Sequence, residues 1–397
     1  MFFNSILTFF QNKLSTIYNK SFFLQKIDWL IGANILLVIL SSTVAPSDYI
    51  GYFAIFAIIL TAVKLLTKTG EKFELTWADK LLLVYFLFVL ISVAGSSLLY
   101  LSLKGFFKTL TYFGFYVSLV HYFKDNRDKI KYIFWAYALC VAFETVVAFL
   151  QNFAAVDEIS GWQDTSRLNP EEVMTRVYGT LKPYNPNLFG GYMLACIPAL
   201  ITLPKRFGIP IALCASVALI LTGCRGSYIG YFFQLLLLVA VLYKFLEPKF
   251  KKMFATIVAS VGAFIFCFMM TVSALRARII SIFAMRSDSS NSFRFNVYNS
   301  CIDMFKDNWL LGIGVGNQNF REIYGLYMKT GFDALSAYNI YLETAVESGI
   351  FALLAFLGFV VLIIKYALNN LKNVYVLAAL VSIVGILLHG FVDTVFF

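Results

Sequence analysis

Apolar runs of about 20 residues, the length needed to cross roughly 30 Å of hydrocarbon, recur along this chain from near its start to its end. Eleven can be read: about 29–46, 49–66, 79–99, 103–123, 131–153, 187–204, 207–224, 227–246, 253–273, 349–368 and 374–394. Backbone polar groups find no water inside hydrocarbon, so such a chain crosses as helices that bond internally. The expected fold is all-α, a polytopic transmembrane helical bundle of about 11 spans with a large extracytoplasmic loop. Composition agrees: 14% of residues are charged, against about 25% in soluble domains. The first 28 residues lack the compact apolar core and small-residue cleavage site of a signal peptide. They read as a cytoplasmic amphipathic arm lying at the interface. The organisation that follows is the arm 1–28, nine spans over 29–273 with an outer loop at 154–186, a large periplasmic loop with helices at 274–348, and two last spans within 349–397.

Charge type then divides the two sides. With the N-terminus inside, the cytoplasmic segments are 1–28, 64–80, 124–131, 205–206, 244–252 and 365–373. They hold nineteen of the thirty-two basic residues, seventeen of them lysine, as the positive-inside rule requires. The +10 net charge is therefore a record of topology and does not imply nucleic acid. The outer side carries Arg167, Arg176, Arg225, Arg276, Arg278, Arg286, Arg294 and Arg321, with five lysines. Orientation does not require these arginines. Guanidinium is planar, permanently charged and grips oxyanions bidentately, so they point to an anion handled at the outer face. The competing reading pairs them with loop acids or lipid headgroups, Arg276 and Arg278 especially. The six cysteines are scattered without metal spacing and read as free, buried thiols. With only two histidines as well, neither a metal nor a cofactor is expected.

Four stretches bring polar groups to the outer boundary. In "TRVYGTLKPYNPNLFGGYM", Arg176 and Lys182 flank an Asn-Pro turn. Asn185 or Asn187 would cap the helix beginning near Leu188, and Gly190 would permit close approach of a backbone or ligand. A helix N-terminus beside two cations makes a plausible anion cradle, whereas a plain cap and turn explains the prolines but not the basic pair. In "LTGCRGSYIGY", Arg225 is a cation on a very short connection, either a site residue or an interfacial anchor. In "RSDSSNSFRFNVYNSCIDMFKDNWLLGIGVGNQNF", residues 288–292 read as a turn and N-cap. Arg294 and Tyr298 then fall at helical spacing, and Gly312–Gly316 forms a bend. "GIGVGN" follows no strand, so it is not a dinucleotide loop. In "DALSAYNIYLETAVESGIFALLAF", Asn339, Glu343 and Glu347 form a polar stripe at i, i+4 and i+8. These carboxylates either pair with the outer arginines, the favoured reading, or act as acid/base groups. His389 and Asp393 lie four apart on one face of the last span, and Glu144 within the fifth span reads as a hydrogen-bonding partner for another helix.

Taken in order, Arg176, "YGT", "NPNLFGGY", "CRGSYIG", "DSSNSFRFNVY", "GIGVGN" and "SAYNIYLETAVESGI" resemble the O-antigen ligase-related membrane protein superfamily, from about residue 30 onward. It contains lipopolysaccharide O-antigen ligases, O-antigen polymerases and teichuronic-acid biosynthesis proteins. The resemblance implies a GT-C-like membrane glycosyltransferase in a bacterial inner membrane. Such an enzyme moves glycan from undecaprenyl diphosphate to an acceptor hydroxyl, on a lipid or a glycan, at the periplasmic face. By motif, Arg176, Lys182, Arg225 and Arg294 would hold the diphosphate. Two departures stand out. Ligases carry a His-Asn pair where this chain has Tyr338-Asn339, and tyrosine, with a reference pKa of about 10, is a poor base near neutrality. The catalytic candidates are therefore Tyr338, Glu343, Glu347 and the His389/Asp393 pair. Relatives also continue past the last "HG..D" for a further span, whereas this sequence stops at Phe397.

"DALSAY" and "LLHGFVDTVFF" resemble a branch of inorganic-carbon accumulation proteins labelled bicarbonate transporters. A bicarbonate or anion transporter, or an accessory protein of one, is accordingly the alternative to the enzyme. Transporters usually hold substrate near the midplane on broken helices within repeats. Here the charges crowd the outer face, which favours the enzyme.

Overall fold

A computed structural model of the chain describes residues 2–154, 176–283, 289–329, 331 and 333–394. Most of the expected outer loop 154–186, with Arg167, lies outside the described residues, as do Arg286 and Asp288. The described residues are helical, with no strand among them.

The helices are α1 (Phe2–Lys20), α2 (Phe22–Gln25), α3 (Ile27–Ser41), α4 (Ser47–Thr67), α5 (Trp77–Gly95), α6 (Leu99–Asp125), α7 (Ile130–Phe153), α8 (Pro186–Cys196), α9 (Lys205–Leu221), α10 (Arg225–Phe245), α11 (Pro248–Thr271), α12 (Ser273–Ile282), α13 (Ser289–Asn308), α14 (Asn317–Tyr327), α15 (Ile340–Asn369) and α16 (Val374–His389). Each of the eleven apolar runs falls on a helix. Six segments are long and apolar enough to cross a membrane by length and composition: α4, α5, Arg127–Phe153 around α7, α10, α11 and α15. The rest are shorter, or carry charges as α6 does.

Several boundaries differ from the sequence reading, each for a local reason. The run 187–204 leaves α-geometry after Cys196 and continues as a 3₁₀ segment, Ile197–Thr202, with Pro198 in its first turn. The last run ends at His389, where the chain turns through Gly390. Ser289–Ser292, expected as a turn, is already helix. Four of the six cysteines are buried, but Cys214 and Cys267 are exposed, contrary to expectation; each lies on a helix face that no other helix covers.

Starts are set by side-chain caps. Thr76 and Asp79 form a reciprocal capping box at α5. Asparagines cap α8, α15 and α16, each accepting from amides of the first turn. Asn339 is thus the cap of α15 and not a member of a polar stripe.

Two cores organise the bundle around the candidate site. One joins α7, α8 and α9 through Val141, Ala148, Phe189, Met193 and Leu219. The other seats α13 and α14 on the start of α15 through Val297, Met304, Phe320, Tyr324 and Val346. Small residues let α10 and α16 approach closely: a Cβ at Gly230 would lie 2.8 Å from the Gly385 carbonyl. Gln234 crosses the same seam, donating to the carbonyls of Leu194 (2.8 Å) and Val381 (3.0 Å).

Helix α15 is broken. Gly349 takes φ 79°, ψ 177°, a conformation that excludes side chains other than glycine at low cost. The Trp309–Gly316 segment fills the break. Ile313 and Gly314 amides donate to the Val346 and Glu347 carbonyls (3.0 Å each), and the Ile350 amide donates to Trp309 (2.9 Å). Ser92 of α5 adds a bond to the Glu347 carbonyl at 2.5 Å. The Val346 and Glu347 carbonyls and the Ile350 amide, freed by the break, are thus returned to protein partners, as a low-dielectric setting demands. The glycine-rich motif is this plug.

Candidate functional site

Arg176 opens a strap, residues 176–184, that lies against α7. The Val177 amide donates to the Leu221 carbonyl at 3.2 Å. Gln151 of α7 accepts from the Tyr178 and Gly179 amides (3.1 and 2.9 Å) and donates to the Gly179 carbonyl (2.9 Å). Glu144, wholly buried, accepts from the Thr180 amide (3.0 Å) and hydroxyl (2.5 Å). The sequence reading gave Glu144 a helix partner; its partner is this strap. Gly179, at φ 63°, has no room for a Cβ against Glu144 and Phe189.

These contacts fix the Arg176 guanidinium. Its Nε donates to the Thr222 carbonyl at 2.7 Å and its Nη2 to Asn187 Oδ1 at 2.6 Å. Burial, and then the like charges of Arg278 and Arg225, lower its pKa to about 10, so it stays cationic at neutral pH. Asn185 is the cap of α8, accepting from the Asn187 amide at 2.8 Å. Asn187 is instead the residue that orients Arg176. Gly190 serves helix packing: a Cβ there would come within 2.6 Å of Ser227 Oγ and 2.9 Å of Cys224 Cβ. Lys182 is exposed on the turn within the strap, and no bond ties it to the arginines among the described residues.

Arg225 begins α10, and its Nη1 reaches the carbonyl and hydroxyl of Ser281, both at 3.2 Å. Asn291 of α13 donates to the same carbonyl at 3.3 Å, tying α10, α12 and α13 together. Arg276 is exposed and donates weakly to its own chain at Met270. Arg278, which the sequence grouped with it, lies near enough to depress the Arg176 pKa. Next to Arg225, Gly226 leaves space for His389, whose Nδ1 would lie 2.6 Å from a Cβ there. His389 is 1% exposed, and no side chain among the described residues hydrogen-bonds its ring nitrogens; their polar neighbour is the Gly226 backbone.

The third group lies where α13 meets the chain ends of α15 and α16. Arg294 Nη2 is 3.6 Å from Asp393 Oδ2, and its guanidinium sits 5.9 Å over the Tyr338 ring. Tyr298 Oη lies 3.1 Å from the Tyr338 carbonyl and 3.2 Å from that of Phe391, and donates into them. Tyr338 holds φ 50°, an uncommon conformation for an aromatic residue. Burial, then the Asp393 charge, pushes its phenol further up from its ordinary value, so it holds its proton more firmly than the free amino acid and is less available to accept one. Asn339 Nδ2 donates to the Phe391 carbonyl at 3.1 Å.

Glu343 and Glu347 were expected to pair with outer arginines. They do not among the described residues. Glu343 Oε2 accepts from the Ala337 amide (2.9 Å) and the Thr394 hydroxyl (2.8 Å), while Oε1 has no partner. Glu347 Oε1 accepts from the Gly316 amide at 2.9 Å. The cause is the broken helix: the turns before and beside it aim amides at both carboxylates.

The arrangement thus brings Arg176 near Arg225 and Arg278, sets His389 against Gly226, and links Arg294, Asp393, Tyr338 and Glu343 one step further. Lys182 stands apart, and Glu347 faces the glycine-rich plug. Sequence reasoning missed the supports: Gln151 and Gly226, which carry no charge to attract notice, and Asn187 as the partner of Arg176.

A search of curated proteins found no match. A family model described as O-antigen ligase matches residues 210–357. That stretch takes in Arg225, Arg294, the plug and both glutamates, and leaves out Arg176 and His389. The matched stretch is similar to the O-antigen ligase domain and, with several apolar helices beside it, supports a multi-pass membrane protein with a ligase-like role in cell-surface polysaccharide synthesis.

Proposed function

We propose that the chain is a membrane glycosyltransferase that moves glycan from polyprenyl diphosphate to an acceptor hydroxyl at the periplasmic face of the bacterial inner membrane. The observation that carries the reading is Arg176, a guanidinium held by two neutral oxygens with Arg225 and Arg278 nearby. Neutral acceptors orient the cation without cancelling its charge. When the sugar–phosphate bond breaks, negative charge grows on the departing diphosphate, and preorganised cations stabilise it without reorganising.

The acceptor hydroxyl must lose a proton as it attacks. Of the catalytic candidates, Tyr338 is too weak a base, Asp393 faces Arg294, and Glu347 is bonded to Gly316. Glu343 has one oxygen already engaged. His389 packs on Gly226, next in sequence to Arg225, with the charges of Asp393 and Arg294 in reach, so we assign it proton acceptance, with Glu343 as the competitor. The diphosphate would rest on Arg176 and Arg225, with Arg294 at the acceptor side and Lys182 at the rim.

Purified protein in proteoliposomes should consume a polyprenyl-diphosphate-linked glycan and release the diphosphate lipid. His389→Ala should lower turnover about 10²–10⁴-fold, as loss of a general base does, whereas the same loss from Glu343→Gln alone would move the assignment there. No turnover across a panel of donors and acceptors, together with bicarbonate flux into the vesicles, would replace this reading with the transporter.

A further inference from the structure

Between α5, α6, α15 and α16 runs a groove of about 610 Å³. Tyr85, Phe86, Phe113, Tyr116, Phe359 and Ile386 are among its walls, and no charged side chain lines it. Thr109 and Tyr112 line both this groove and a second cavity of about 450 Å³.

The second cavity has a different chemistry. Lys104 and Lys108, one turn apart on α6, line it, opposite Gly316 and Gln318 at the start of α14. Lys104 Nζ sits 4.6 Å over the Tyr100 ring and Lys108 Nζ 5.9 Å over that of Tyr112. Neither ammonium has a carboxylate partner within salt-bridge distance among the described residues. Two carboxylates also line the cavity. Glu347 is engaged by the Gly316 amide, and Asp48 lies in the first turn of α4, where the helix N-terminus favours a negative charge. None of Arg176, Arg225 and Arg294 lines either space.

Two cations at the mouth of an uncharged, aromatic-walled groove match an amphiphile with an anionic head. A free anion would use the lysines and leave the groove unfilled, and a neutral lipid would use the groove and leave the lysines unused. The groove runs from Thr109 to Tyr116 along α6, roughly 10 Å of helix, and on past the break in α15, so a hydrocarbon chain can lie along it. We propose that these adjoining spaces hold a phosphate-headed lipid, its tail between α5, α6, α15 and α16 and its phosphate at Lys104 and Lys108. This site is separate from the arginine cluster and does not depend on the transferase reading.

The test uses the full chain in phosphatidylcholine nanodiscs doped with a photoactivatable phosphatidylglycerol, with labelled peptides mapped by mass spectrometry. Label should fall on α5, α6 and α16. The double variant Lys104→Gln/Lys108→Gln should lower that labelling roughly tenfold or more, in line with the contribution of each lysine to anionic-lipid binding. Ile386→Trp, which fills the groove from the other side, should lower it independently. Arg225→Ala should leave it in place while affecting the transferase site, which keeps the two proposals distinguishable. Equal labelling by phosphatidylcholine, no response to the lysine double variant, displacement by inorganic phosphate, or a loss in Arg225→Ala as large as in the lysine variant would each overturn the proposal.

Discussion

The molecule holds a buried cation in one place and a half-buried one in another, and the company they keep differs. At one end, Lys64 is fully buried among Asp28 (2.8 Å), Asp125 (3.2 Å) and Glu71 (3.4 Å), with Lys68 2.8 Å and His121 3.2 Å from Glu71. At the other, Arg176 meets a carbonyl and an amide oxygen and no carboxylate among the described residues. The first cation is neutralised several times over and can do no more than hold α3, α4 and α6 together. The second is fixed in place with its charge still available. Burial alone therefore does not mark a site; the sign and neutrality of the partners do.

The comparison can be broken most sharply at Lys64. Lys64→Ala strands three carboxylates, so it should destabilise the fold by about 3–5 kcal/mol, as loss of one partner of a buried pair does. Thermal unfolding in detergent would show it, and glycan transfer by the protein that remains folded should be unchanged. Arg176→Ala should do the opposite, sparing stability by comparison and lowering transfer by about 10²–10³-fold in a reconstituted assay. Arg176→Lys should recover little of that, because an ammonium cannot serve Thr222 and Asn187 with the same planar geometry.

Smaller effects sharpen the contrast. Asn187→Ala leaves the Arg176 charge but frees its orientation, and should cost roughly tenfold in kcat, about 1.4 kcal/mol, with Asn187→Asp retaining the acceptor but cancelling charge and so performing worse. Glu71 gives a test in pH. Burial pushes its carboxyl up, but hydrogen bonds from His121 and Lys68 and the charge of Lys64 outweigh that and hold it well below the ordinary carboxylate range. A depressed pKa means its stabilisation is complete above about pH 4.3 and fades as pH falls through the folded value. Glu71→Gln should therefore lose about 1–3 kcal/mol near pH 7, and its melting temperature should converge on that of the parent as acid is added.

Much of the bundle could be read in advance because long apolar runs leave the backbone one solution. The separation of lysines from arginines likewise singled out Arg176 and Arg225 as the cations to follow. What could not be read were partners set by backbone geometry. Nothing in the spacing of Asn339, Glu343 and Glu347 says that the first caps a helix and the others meet amides, because a helical stripe assumes a helix that Gly349 interrupts. Gly226 and Gln151 carry no charge, so only the packing of α10 on α16 and of the strap on α7 gives them a role. Lys104 and Lys108 were passed over because two lysines near a helix end usually mean orientation and nothing else.

The break at Gly349 has a mechanical consequence. A helix interrupted by glycine is ordinarily a hinge, yet here the gap is doweled: three amide bonds and a serine hydroxyl cross it from Trp309–Gly316 and α5. Bending there would release each of those groups in turn, at about 1 kcal/mol apiece. The stiffness also runs outward. The dowel is continuous with α13 and α14, so the bonds that stiffen the break also tie the platform that bears Arg294 to the long apolar half of α15.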